Sequence, residues 1–230
     1  MRDGAPRGMT WARLLWFDFS RGNPQALRIL LSELGALRCL ELLPRLLWLN
    51  LTRDPFKALG QRPLSREDRF SRHQLKPVLL LDAALTEGLG LSKERAGAIL
   101  GRLIAEIGAT FIGTNLGALT PELWGALDAA GRARTSAEIM ARFFNMEAHP
   151  VAKAKATSFA FDVTACRFAA LTRALGRPEL AELYCEADRV YFEDPEVPIR
   201  LERHETIAGG GARCDFHFHL ERPGDASLEG

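Results

Sequence analysis

Hydrophobic residues return at helical spacing along the first half of the chain, and they begin to alternate only near residue 158. Trp11, Leu14, Leu15, Trp16, Phe17 and Phe19 form a dense apolar patch. A helix-like stretch over 25–51 follows, interrupted by Pro44, and Asp54-Pro55 with residues 60–63 reads as a linker. Residues 73–86 carry helical spacing and stop near Gly88 and Gly90. Ser92 caps a helix reaching Gly108, whose stripe is Ala96, Ile99, Leu100, Leu103 and Ile107. Thr120-Pro121-Glu122 opens another helix, with a cap, a first-turn proline and an acid at the positive end. Thr135 and Glu138 have capping-box spacing ahead of 139–144.

Phe159, Phe161 and Val163 alternate with smaller or polar residues, the period-two pattern of a strand. Thr164 then caps a predicted helix over 165–175, stopped by Gly176. Pro178 and Glu179 start another that reaches Phe192 and ends at Asp194-Pro195. Residues 199–207 and 212–220 are strand-like around Gly209-Gly210-Gly211, a hairpin signal. A four-residue loop sets Ile207 against Ala212. Leu201 then faces Phe218, Arg203 faces Phe216 and Glu205 faces Cys214 on one side. On the other side His204 meets Asp215, Glu202 meets His217 and Arg200 meets His219. One face is apolar and the other pairs opposite charges, and a slip by one residue loses both matches. The predicted class is α+β: a helical N-terminal half, then a strand–helix–helix–hairpin unit forming a small antiparallel sheet packed with helices. The expected division is a helical appendage over 1–62, an α+β domain over 63–220 and a frayed tail over 221–230.

With 230 residues, 47% of them hydrophobic, the chain can bury a substantial core. Thirty basic residues against 29 acidic ones argue against a nucleic-acid partner, which calls for a basic surplus. The arginines within 11–51 suit either an interfacial helix at a membrane or a helix packed on the main domain, and the packed arrangement is the preferred expectation. Four scattered cysteines, Cys39, Cys166, Cys185 and Cys214, do not make a disulfide scaffold. With no apolar signal core in the first ten residues, a cytoplasmic location with free thiols is expected. A small-molecule substrate is expected, and a homodimer is compatible with the pattern.

Candidate chemistry lies in the second half. Cys166 falls two residues after the predicted cap Thr164, where helix amides favour a thiolate; otherwise it is a small buried hydrophobe. Cys185 and Asp188, three apart, share one helix face, where Asp188 could hold a cationic amidine or act as a base. The alternative is a solvated helix face. The hairpin register turns Arg203 and Glu205 inward beside Cys214, so they form a cross-pleat ion pair, lie at a sheet edge or face a ligand. Tetrahedral zinc on the three cysteines and a histidine finds no supporting ligand spacing, and no metal or cofactor is expected. No phosphate loop, dinucleotide fingerprint or serine elbow is present.

The runs Phe161-Asp162-Val163-Thr164-Ala165-Cys166-Arg167-Phe168, Leu175-Gly176-Arg177-Pro178-Glu179-Leu180, Leu183-Tyr184-Cys185-Glu186-Ala187-Asp188, Leu201-Glu202-Arg203-His204-Glu205-Thr206 and Gly211-Ala212-Arg213-Cys214-Asp215-Phe216 occur in that order. Together they resemble the L-2-amino-thiazoline-4-carboxylic acid hydrolase family. The resemblance covers mainly 158–220, extends more weakly back to about His73, and leaves the first sixty residues aside. It implies hydrolytic opening of a cyclic amidine-like C–N/C–S centre to an N-carbamoyl product, and the candidate residues make a thiol-dependent, metal-free route the expectation. In that picture Cys166 or Cys185 attacks and Asp188 holds or protonates the amidine nitrogen. Arg203 clamps a substrate carboxylate, Glu205 steers water or orients Arg203, and Thr164 and Cys214 join the substrate site. Two alternatives accompany it: a natural-product tailoring enzyme of the same family catalysing ring opening or cyclisation, and a non-catalytic binding domain similar to the 4-vinyl reductase type.

Overall fold

The computed structural model describes residues 8–60, 63–151 and 153–220; the predicted tail over 221–230 lies outside them. Thr10 caps α1 (Trp11–Phe17), its hydroxyl accepting from the Arg13 amide. The chain widens into a π-helical turn over Asp18–Gly22 and continues as α2 (Asn23–Thr52). The break expected at Pro44 lies instead at Gly35, where φ is 77°. Only glycine adopts that backbone cheaply, whereas Pro44 costs one helical hydrogen bond and stays inside the helix.

α3 (Arg66–Ala83) begins at a full capping box of Ser65 and Asp68, well ahead of the expected His73. α4 (Lys93–Leu116) starts at the expected Ser92 cap but runs on past Gly108. α5 (Pro121–Gly125) opens at Thr120 as anticipated. α6 (Ala129–Arg142) is capped by Asp128, so the Thr135 box is not its start.

The sheet comprises β1 (Met146–Pro150), β2 (Ser158–Cys166), β3 (Ile199–Glu202) and β4 (Cys214–Leu220). Its order is β1-β2-β4-β3, antiparallel throughout. Between β2 and β3 lie α7 (Arg167–Ala174) and α8 (Glu179–Phe192). The whole is α+β. β1, which the pattern did not reveal, pairs with β2 as far as Cys166. That pairing keeps Thr164 in the strand and makes Cys166 the N-cap of α7, which corrects the predicted helix start at 165.

The hairpin pairs as its charge pattern requires: Leu201 opposite Phe218, Glu202 opposite His217, Arg200 opposite His219. Beyond Glu202 the ladder stops, because the Asp215 carboxylate takes the amides that would have continued it. Asp215 Oδ1 accepts from His204 N at 3.0 Å and Glu205 N at 2.8 Å, and Oδ2 meets His204 Nδ1 at 2.9 Å. Burial pushes the Asp215 carboxyl up, but the Glu205 amide and the His204 ring outweigh it and hold it well below the usual carboxylate range. The same contact raises His204.

The inner sheet face, with Phe159, Phe161, Val163 and Phe218, packs on Ile112 and Leu116 of α4 and Ala187 and Phe192 of α8. α4 and α8 approach closely at Gly108, where an added Cβ would fall 2.5 Å from that of Ala187. Among the described residues α4 is the one helix long and apolar enough to cross a membrane; here it is a central packing helix. A second cluster joins Ile29, Leu30, Cys39 and Leu42 of α2 to Ile99, Leu100 and Leu103 of α4 and Leu180 of α8. Packing is therefore continuous across the expected boundary at residue 62.

Candidate active site

Helix α4, helix α8, the sheet and the N-terminal helices enclose a cavity of about 300 Å³. α4 lines it from Leu100 to Leu116, which at 1.5 Å per residue is about 24 Å of wall. Phe161, Val163, Phe216 and Phe218 form the sheet side, and Phe17 and Ala26 the N-terminal side. The lining is mainly apolar and the space elongated.

Five of the sequence-predicted site residues meet on this wall: Cys166, Cys185, Asp188, Arg203 and Cys214. β2 ends at Cys166 and β4 begins at Cys214, while α8 presents Cys185 and Asp188 one turn apart. Arg203 Nη1 donates to Asp188 Oδ2 at 2.6 Å, and Nη2 donates to the Cys185 carbonyl at 3.3 Å. The guanidinium also lies 5.3 Å from the Phe216 ring centroid. Asp188 and Arg203, expected to act on different parts of a substrate, are thus each other's partner. Cys214 Sγ accepts from the Ile207 amide at 3.3 Å.

Burial pushes the Cys185 thiol up to about 12, and the neighbouring Asp188 carboxylate adds to the rise. Burial also raises Cys214. At Cys166 the amides of Ala169 and Phe168 favour the thiolate, but burial outweighs them and the thiol is raised as well. The thiolate expected from a helix N-terminus is therefore not the resting form. Asp188 is raised by burial, against the pull of Arg203.

Thr164 and Glu205 do not join the wall. Thr164 is exposed on β2, with its hydroxyl 3.5 Å from the Glu147 carbonyl. Glu205 lies beyond the end of the ladder, so strand alternation no longer aims it inward, and its carboxylate pairs with Arg213 at 3.1 Å. Tyr184, which the sequence pattern does not mark as a site residue, also lies on the wall. It stacks on Phe168 at 4.2 Å, and its hydroxyl is buried without a partner. Its spacing of four from Asp188 was the available signal. Asp18, held by His73 at 2.8 Å and Gln74 at 3.3 Å, adds a second polar patch to the lining. Among the described residues no three His, Cys, Asp or Glu side chains converge as metal ligands would.

No curated protein and no solved structure matches the chain. The model of one family does, described as L-2-amino-thiazoline-4-carboxylic acid hydrolase, and the match spans residues 70–218. That stretch carries α8, the whole sheet nearly to its last residue, and the cavity's three thiols, Asp188 and Arg203. The chain belongs to the L-2-amino-thiazoline-4-carboxylic acid hydrolase family.

Proposed function

We propose that the cavity is the active site of a thiol-dependent hydrolase that opens a cyclic amidine-like C–N/C–S centre carried on a molecule with an apolar body. The reading is carried by three thiols and a buried Asp188–Arg203 pair on the wall of one elongated apolar cavity. A five-membered polar ring alone leaves most of that apolar length without a partner, so an apolar substituent belongs to the substrate.

Cys185 is the better nucleophile by position, being one turn from Asp188. In the empty cavity its proton stays on sulfur. A protonated amidine entering beside Asp188 supplies the positive charge that stabilises a thiolate, and Asp188 takes the proton. The thiolate bonds to the amidine carbon, the ring C–S bond breaks, and the departing sulfur receives the proton. Water then adds to the resulting isothiourea and displaces the Cys185 sulfur, leaving a urea-type product and the thiol restored. Arg203 keeps the Asp188 carboxylate fixed, and the Tyr184 hydroxyl has no protein partner to give up on binding a polar group of the substrate.

The test is turnover by the full chain of L-2-amino-thiazoline-4-carboxylate and of analogues with apolar substituents. Apolar analogues should turn over faster, and Cys185→Ala and Asp188→Asn should each lower kcat by about 100-fold or more with unchanged circular dichroism. Full rates in both Cys185→Ala and Cys166→Ala rule out thiol catalysis. Saturable binding with no turnover of any analogue favours instead the binding-domain reading, which the protonated resting thiols support. Iodoacetamide gives an independent check. A thiol titrating near 12 is about one part in 10⁴ thiolate at pH 8, so labelling of Cys185 should be slow there and rise about tenfold per pH unit. Rapid labelling at neutral pH contradicts the buried-thiol mechanism.

A further inference from the structure

Among the described residues, the exposed large hydrophobic side chains concentrate in one place: twelve of fifteen lie between Trp11 and Leu51. Beyond the Gly35 break, α2 is apolar on two opposite sides. Cys39, Leu42, Leu46 and Leu49 turn into the core cluster. Leu37, Leu40, Leu47, Trp48 and Leu51 project away from it, with Leu37 83% and Trp48 67% exposed. Trp16 and Phe19, the latter 76% exposed, add further exposed aromatic surface on the first helix and its π turn. A helix apolar all round is one that finds apolar surroundings on both sides.

The charges on the same segment have one sign to spare. Residues 8–53 hold six arginines and three acids. The acids are all engaged: Asp18 faces His73, Glu33 binds Arg95 and Arg102, and Glu41 pairs with Arg45. Arg13, Arg28 and Arg38 are exposed and have no acidic partner among the described residues. Trp, Phe and Leu at the surface with unpaired arginines among them match the boundary between acyl chains and anionic headgroups. A second copy of the chain fits less well, since a two-fold contact would set this arginine-bearing face against its own likeness.

We propose that α1 and α2 dock the protein on an anionic lipid surface, with Trp16, Phe19, Leu37, Leu40, Leu47 and Trp48 entering the interface and Arg13, Arg28 and Arg38 meeting the headgroups. The docking does not depend on the chemistry of the cavity. It is compatible with the packed arrangement preferred from the sequence: α2 is packed on the main body and keeps a second apolar side outward.

The test is co-sedimentation of the full chain with vesicles of phosphatidylcholine alone and of phosphatidylcholine mixed with phosphatidylglycerol. Binding to the anionic vesicles should be at least about tenfold tighter, should weaken in high salt, and should shift tryptophan emission to the blue. Leu40→Asp with Trp48→Asp should abolish sedimentation while circular dichroism stays unchanged, because neither side chain serves the core. Arg28→Glu and Arg38→Glu should each weaken binding about fivefold or more. Equal binding to both vesicle types, no binding to either, or binding that survives Leu40→Asp with Trp48→Asp overturns the proposal. So does a dimer in light scattering that Leu40→Asp splits while vesicles remain unbound, which assigns the face to a second copy.

Discussion

A carboxylate and a guanidinium taken out of water together are held by each other, and Asp188 and Arg203 stand in that relation at 2.6 Å with both side chains largely buried. Removing one member leaves the other buried and unpaired, at a cost of about 3–5 kcal/mol. Arg203→Ala should therefore destabilise the protein by that amount in chemical denaturation. Asp188→Leu with Arg203→Met should recover most of the loss while abolishing turnover. A double variant no more stable than Arg203→Ala would mean that the site's cost lies in packing and not in charge. The inward direction of Arg203 was readable in advance because Leu201 and Phe218 fix the phase of the hairpin, and Cys185 and Asp188 were readable from their spacing of three. Glu205 was not. A single carboxylate, Asp215, competes with the strand for two amides, and alternating patterns carry no trace of such competition.

At the scale of elements, the position of α8 decides where Cys185 and Asp188 stand, and α8 is set by its close approach to α4 at Gly108. In an isolated helix Gly108→Ala would gain about 1 kcal/mol. Here the added methyl meets the Ala187 Cβ at 2.5 Å, so the helices must part and the substitution should cost about 1–3 kcal/mol in a denaturation curve. The same shift should lower turnover, since Ala187 directly precedes Asp188. Helix starts at Ser92 and Thr120 were legible because a cap and a first-turn acid are local chemistry. β1 was not legible: Met146-Glu147-Ala148-His149-Pro150 has no strand propensity to speak of, and it forms because β2 offers an edge and Arg167 binds Glu147 at 2.9 Å. The interruption expected at Pro44 falls at Gly35 because a positive φ bends a helix more than one missing amide does.

At the scale of the whole molecule, the N-terminal helices are structural members of the fold. Ile29, Leu30 and Leu42 belong to the same buried cluster as Leu100, and Phe17 and Ala26 wall the cavity. A chain beginning at residue 63 should therefore lose cooperative unfolding and bind a hydrophobic dye; a soluble, cooperatively folding fragment would establish the boundary at 62 as a true domain limit. The family match begins at residue 70, so Phe17, Asp18, Asn23 and Ala26 shape the cavity from outside the shared region. The thiols and the Asp188–Arg203 pair thus lie inside the family match, while part of the remaining enclosure lies outside it. On the proposed hydrolase function, choice among substrates would be written in the part of the chain that lies outside the family match.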